Sequence, residues 1–135
     1  MYFKKTTLIA LSLLLSACQE VANPSSGSAA LESGDYCYRN IFTNGDTTDM
    51  EELLISIDGK AAKGSYNWLP QFKDQRKGSI EGTVSEQTIT ATYNFNQEGQ
   101  SQSVDLTIAL TDKDATVKGG APELGLNRTL NKVEC

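Results

Sequence analysis

Side chains able to do chemistry are few in this chain and unevenly placed. Its 135 residues include no histidine. That removes the Ser-His and Cys-His catalytic pairs, the histidine-bearing zinc sites, and the side chain best matched to proton transfer near neutral pH. Carboxylates are more plentiful. Asp46, Asp49, Glu51 and Glu52 lie close together and offer oxygens that could hold calcium, but their spacing departs from the twelve-residue calcium loop, so they read as an acidic loop before a strand. Asp112 and Asp114 flank Lys113 in what reads as an ordinary turn. Carboxylate-pair hydrolysis needs two acids at a set separation across a cleft, and neither group has a spacing that fixes one. No metal, cofactor or catalytic set is expected, and the chain reads as a protein that is not an enzyme.

The segment from Tyr66 to Lys77 is the most unusual. It sets Tyr66, Trp68 and Phe72 beside Pro70 and a mixed-charge run ending in Arg76-Lys77. Tyrosine, tryptophan and arginine are the types enriched in binding hot spots, and loops at barrel ends often carry recognition. Tyr66, Trp68, Phe72 and Arg76 are therefore the candidate binding loop. The competing reading places Tyr66 and Trp68 in the core, with Phe72 plugging one end. A second connection, Asn96 to Gln102, is long and polar and reads as a solvated turn.

Strands must position these residues. From Asp35 onward apolar side chains recur with a period of two. Leu53, Ile55 and Ile57 alternate with polar neighbours up to the hairpin signal Asp58-Gly59. Ile89, Ala91, Tyr93 and Phe95 alternate with Thr88, Thr90, Thr92 and Asn94, and Val104, Leu106, Ile108 and Leu110 repeat the pattern. A first strand over Tyr36 to Phe42 and a last over Asn127 to Glu134 bring the count to eight. No stretch keeps a helical period for three turns. Eight short strands with tight connections predict an all-β antiparallel meander. A closed or nearly closed barrel is preferred to a two-sheet sandwich, because closure removes the exposed edges. The large inward set, with Tyr66, Trp68, Ile80 and Val84 joining the residues above, predicts a filled interior and no small-molecule ligand there.

The amino terminus carries an address. Lys4 and Lys5 precede an apolar run from Leu8 to Leu15, broken only by Ser12, and small residues follow. This reads as an export signal, too short for the roughly 20 residues that span a bilayer. Its end, Leu15-Ser16-Ala17-Cys18, resembles the lipobox of bacterial lipoproteins. That resemblance implies a diacylglycerol on the Cys18 sulfur, cleavage before Cys18, and acylation of the new amine. Two or three fatty chains hold a protein firmly on a membrane, at about 0.8 kcal/mol per buried methylene. Gln19, where inner-membrane retention looks for Asp, points by the same resemblance to the outer membrane of the bacterial envelope. Small polar residues then run from Gln19 to Ala30. They predict a flexible tether over 18–34, spanning roughly 20 to 24 Å, with the folded domain over 35–135.

Three cysteines leave one over in an exported chain, and lipidation of Cys18 accounts for it. Cys37 and Cys135 then form the one even pairing in an oxidising compartment, the alternative being a reactive free thiol. Closing a loop of about 100 residues contributes on the order of 4.7 kcal/mol in the chain-entropy picture.

Twelve basic residues face 17 acidic ones, and loss of Lys4 and Lys5 with the signal would leave a net charge of −7. No basic stripe is visible, so nucleic acid is not an expected partner. From Cys18 onward the chain resembles the small bacterial lipoproteins in which a β-domain follows a short tether. That implies a membrane-anchored binding or structural module of the envelope, with an envelope protein as the possible partner. It is also similar to the lipoprotein inhibitors of c-type lysozyme, which are small, disulfide-bridged, eight-stranded barrels that meet a basic enzyme. Their inhibitory motif is not recognisable here, and no residue is carried over from them.

Overall fold

The computed structural model describes residues 30–135. The export signal over 1–17, Cys18 and the tether as far as residue 29 lie outside the described residues. Eight antiparallel strands follow one another around a closed barrel: β1 (Gly34–Asn44), β2 (Thr47–Asp58), β3 (Ala61–Leu69), β4 (Arg76–Ser85), β5 (Thr88–Gln97), β6 (Gln100–Leu110), β7 (Asp114–Gly119) and β8 (Arg128–Val133). A single 3-10 turn, Pro122–Leu124, interrupts the connection between β7 and β8. No helix among the described residues is long and apolar enough to cross a membrane.

The period-two pattern does what it predicts. Leu53, Ile55 and Ile57 of β2, Ile89, Ala91, Tyr93 and Phe95 of β5, and Leu106, Ile108 and Leu110 of β6 are all buried, with exposed or half-buried neighbours between them. Tyr38, Ala115, Val117, Leu126 and Leu130 complete the core. Trp68, Val84 and Val104, also expected inside, are only half-buried, the first two near strand ends and Val104 where β6 runs beyond its pairing with β7. Two-residue turns join most neighbours. The stretch Asn96 to Gln102 is a correction to the expected long connection: β5 runs to Gln97, β6 starts at Gln100, and Glu98-Gly99 alone turns the chain, both with positive φ as a tight hairpin with matching twist requires.

Closure is completed by β8 against β1, through pairs at Cys37–Val133, Tyr38–Lys132 and Arg39–Asn131. Cys37 and Cys135 are bridged across this seam, with Cα atoms 5.3 Å apart. Above Arg39 a side chain continues the ladder. The Asn40 amide donates to the Thr129 carbonyl at 2.8 Å, and its oxygen accepts from the Asn131 backbone at 3.2 Å.

An up-and-down order puts alternate connections at opposite ends. The chain enters beside the β2–β3 turn, and Leu31, Ser33 and Tyr36 are held there. The Leu31 N–H donates to the Glu86 carbonyl at 3.0 Å, Gly59 N–H donates to the Ser33 hydroxyl at 2.9 Å, and the Leu31 side chain packs against the core. The β1–β2, β3–β4, β5–β6 and β7–β8 connections all lie at the other end, called the mouth below.

Inward glycines make room for the aromatics. Gly78 pairs with Tyr66 on one side and Phe95 on the other. A Cβ there would stand 2.4 Å from the Asn94 carbonyl oxygen and 2.6 Å from both Phe95 Cβ and the Tyr93 ring. Gly78→Ala is therefore expected to lower stability by about 1–3 kcal/mol through overpacking. The outward Ser79→Ala should stay within about 0.5 kcal/mol, as measured by urea denaturation of the two variants.

Candidate functional site

The inward phase of several strands ends, at the mouth, in a polar residue. On β2 the series Ile57, Ile55, Leu53 continues to Glu51; on β4 the series Ile80, Gly78 continues to Arg76; on β8 Leu130 is followed outward by Arg128; on β5 Phe95 is followed by Gln97. Trp68 holds the corresponding place on β3. These side chains, with Glu123, Leu124 and Gly125 of the β7–β8 connection, line a cavity of about 290 Å³. Its floor is the aromatic stack beneath: Tyr66 and Tyr93 ring centres lie 5.4 Å apart, and those of Tyr93 and Phe95 4.8 Å apart.

Burying ions is costly unless they are paired and hydrogen-bonded. Glu51 meets this condition in part, being ion-paired but with Oε2 lacking a hydrogen bond among the described residues. Its Oε1 accepts from the Tyr66 hydroxyl at 2.5 Å, and Oε2 lies 3.4 Å from Arg128 Nε. Arg76 is held differently. Its guanidinium lies 5.7 Å from the Tyr66 ring centre, 5.9 Å from Phe95 and 6.0 Å from Trp68, and Nη1 donates to the Leu124 carbonyl at 2.6 Å. That last bond ties the β7–β8 connection to β4. Arg128 in turn lies 5.3 Å from the Phe42 ring centre. The Tyr93 hydroxyl donates to the Tyr66 carbonyl at 2.6 Å, which links the floor together.

These surroundings keep the phenols protonated. Burial lifts Tyr66 well above the ordinary tyrosine value, and the adjacent Glu51 charge adds to the shift. Burial also pushes Tyr93 up to about 12 against the opposing pull of Arg76. Tyr38 rises to about 12 through burial, with Tyr36 and Asp114 adding. Tyr66 is thus a donor to Glu51, and nothing in its environment makes it a nucleophile or a base.

The four residues expected to form one binding loop are distributed otherwise, and the correction has a simple cause. Tyr66 is fully buried, because β3 continues past it and turns its ring into the core. Trp68 and Arg76 do meet, one at the end of β3 and one at the start of β4, as walls of the cavity. Phe72 is 76% exposed and plugs nothing. Its loop is fastened from below: Gln71 N–H donates to Asp49 Oδ1 at 3.0 Å, and Gln71 Oε1 accepts from Thr48 N–H at 2.7 Å. Ile41 and Phe42, on the β1–β2 hairpin, are the other exposed large apolar residues described, and they too stand at the mouth.

Glu51 and Arg128 were not legible as site residues. Glu51 reads as one of an acidic loop, yet β2 begins at Thr47 and carries Asp49, Glu51 and Glu52 within the strand. The usable signal was phase: counting back by twos from Leu53 lands on Glu51, and outward from Leu130 on Arg128. Among the described residues no group of acids or cysteines could hold a metal ion. No protein-family model matches the chain, and no curated protein or solved structure matches it either.

Two outcomes are expected at this layer. Glu51→Ala leaves the Tyr66 hydroxyl without its acceptor and Arg128 without its partner, and should cost about 1–3 kcal/mol in a denaturation midpoint. Glu51→Gln, which keeps an acceptor, should cost less. Raised phenol values in the fold mean that Tyr38, Tyr66 and Tyr93 add a constant stability below pH 10. As pH rises from 10 to about 12 the unfolded chain loses protons that the folded one keeps, so stability falls across that window. Phenolate absorbance followed alongside unfolding will show Tyr38 and Tyr93 ionising near the top of that window.

Proposed function

We propose that the protein is a lipid-anchored, non-enzymatic binding module of the bacterial envelope, with the barrel mouth as its recognition end. The observation that carries this reading is one of placement. Ile41, Phe42 and Phe72, the exposed large apolar side chains described, stand at the same end of the barrel as the charged cavity, while the chain enters the barrel at the opposite end. A body held through Cys18 would turn its mouth away from the membrane. Exposed apolar side chains at the end that also holds a fixed arginine have the composition of a contact surface. The Cys37–Cys135 bridge is in keeping with an oxidising compartment, and the residue after Cys18 favours the outer membrane as destination.

A second reading, inhibition of a basic enzyme such as c-type lysozyme, draws support from the closed eight-stranded barrel and the acidic balance. Unchanged lysozyme activity in the presence of micromolar protein would remove it.

Cys18→Ala is expected to release the protein from the membrane fraction and to abolish the acyl mass increment on the mature amino terminus. Photo-crosslinking in intact cells tests the recognition end. A crosslinkable residue at Phe72 should capture an envelope partner, and one at Lys60, in the turn at the entry end, should not. Equal capture from both positions would reject the mouth as the contact.

A further inference from the structure

The cavity lining holds two glutamates and two arginines, but they are not evenly paired. Glu51 accepts a hydrogen bond from Tyr66 and is ion-paired with Arg128, and Arg128, with its side chain 42% exposed, is also open to solvent. Arg76 is only 4% exposed and forms no ion pair with any described carboxylate. Among the described residues its guanidinium donates to the neutral Leu124 carbonyl, and its Nε has no partner. Three aromatic faces stabilise the cation without neutralising it. Glu123 lines the same cavity but is exposed at the rim, where water screens it. A buried guanidinium held rigid by a backbone bond and by rings, beside an open cavity, has the features of a site that receives its counter-charge from outside.

We infer that the mouth cavity binds a small organic carboxylate, its anionic end on Arg76 with Arg128 nearby and its flat body against Trp68. The planar fork of a guanidinium matches a carboxylate with two parallel hydrogen bonds. The indole supplies an apolar wall for an unsaturated body. The size sets the class as small, since about 290 Å³ lies at the low end of small-molecule sites. The filled interior below, closed by Tyr66, Tyr93 and Phe95, keeps the ligand at the mouth. This inference rests on the reading of the mouth as the recognition end and specifies the chemistry it accepts.

Trp68 is the chain's one tryptophan, so its fluorescence reports on the cavity directly. Titrating the full-length expressed protein with benzoate should give a saturable change with a dissociation constant on the order of 1 mM. Benzamide, of the same shape without the charge, should bind about tenfold more weakly. Added salt and the Arg128→Gln substitution should each weaken benzoate, the latter by roughly tenfold. Ligand-observed magnetisation transfer to benzoate gives a readout independent of the indole, and thermal unfolding verifies that the variant is folded. Equal binding of benzamide and benzoate, or no saturable response at tens of millimolar, would overturn the assignment. If that happens while crosslinking from Phe72 persists, the carboxylate site alone is rejected. Loss of both rejects the recognition end itself.

Discussion

Everything in this molecule depends on a short seam. β8 meets β1 over three residue pairs, and without that meeting the sheet would have two open edges and no enclosed core. Backbone pairing over so short a run is weak closure. The Cys37–Cys135 bridge and the Asn40 side chain strengthen it at either end, one by a covalent link and the other by an amide that takes the place of ladder bonds. The bridge acts most strongly in the unfolded chain, whose 98-residue separation it collapses into a loop.

Once closed, the barrel imposes a gradient along its axis. Its middle is filled by aliphatic and aromatic side chains, and Gly78 leaves the room that Tyr93 and Phe95 occupy. At the entry end Leu31 lies against this core. At the mouth the same inward phase delivers Glu51 and Arg76, buried above the rings, and Arg128, which water reaches in part. A polar layer at a barrel end costs less than one at mid-depth, because the hydrogen bonds from Tyr66 and to Leu124 meet part of the ions' demand while the cavity stays open. The same arrangement fixes the β7–β8 connection, so the structural role of Arg76 and its availability at the cavity arise from one geometry.

Much of the fold was legible because it rests on a local rule. A period of two names the buried face of a strand wherever β-branched and aromatic residues occupy it, and Ile89 to Phe95 shows this without exception. The rule lost force where polar residues shared the phase. Glu51 looked like part of an acidic loop, Arg76 like part of a mixed-charge one, and Asn96 to Gln102 like a long connection, because composition alone does not distinguish a strand end from a loop. Trp68 and Arg76 were singled out for their chemistry and do meet. Tyr66 shares their face but lies one step deeper, its ring beneath Arg76, whereas Phe72 was grouped with them by nearness in sequence and its loop carries it into solvent.

By itself the sequence determined an all-strand body of eight elements and the cysteine pair at its two ends, and it carried a short ordered motif that resembles a lipobox. These follow from alternation, from count and from a short ordered motif, each readable within a few neighbouring residues. Tertiary structure alone decided that Glu51 and Arg128, distant in the chain, form one pair; that Arg76 is buried among rings; and that Ile41, Phe42 and Phe72 share an end. The reason is that barrel closure sets which strands are neighbours and at what height their residues stand. Such heights depend on register summed around the whole ring, a quantity that no single stretch of sequence contains.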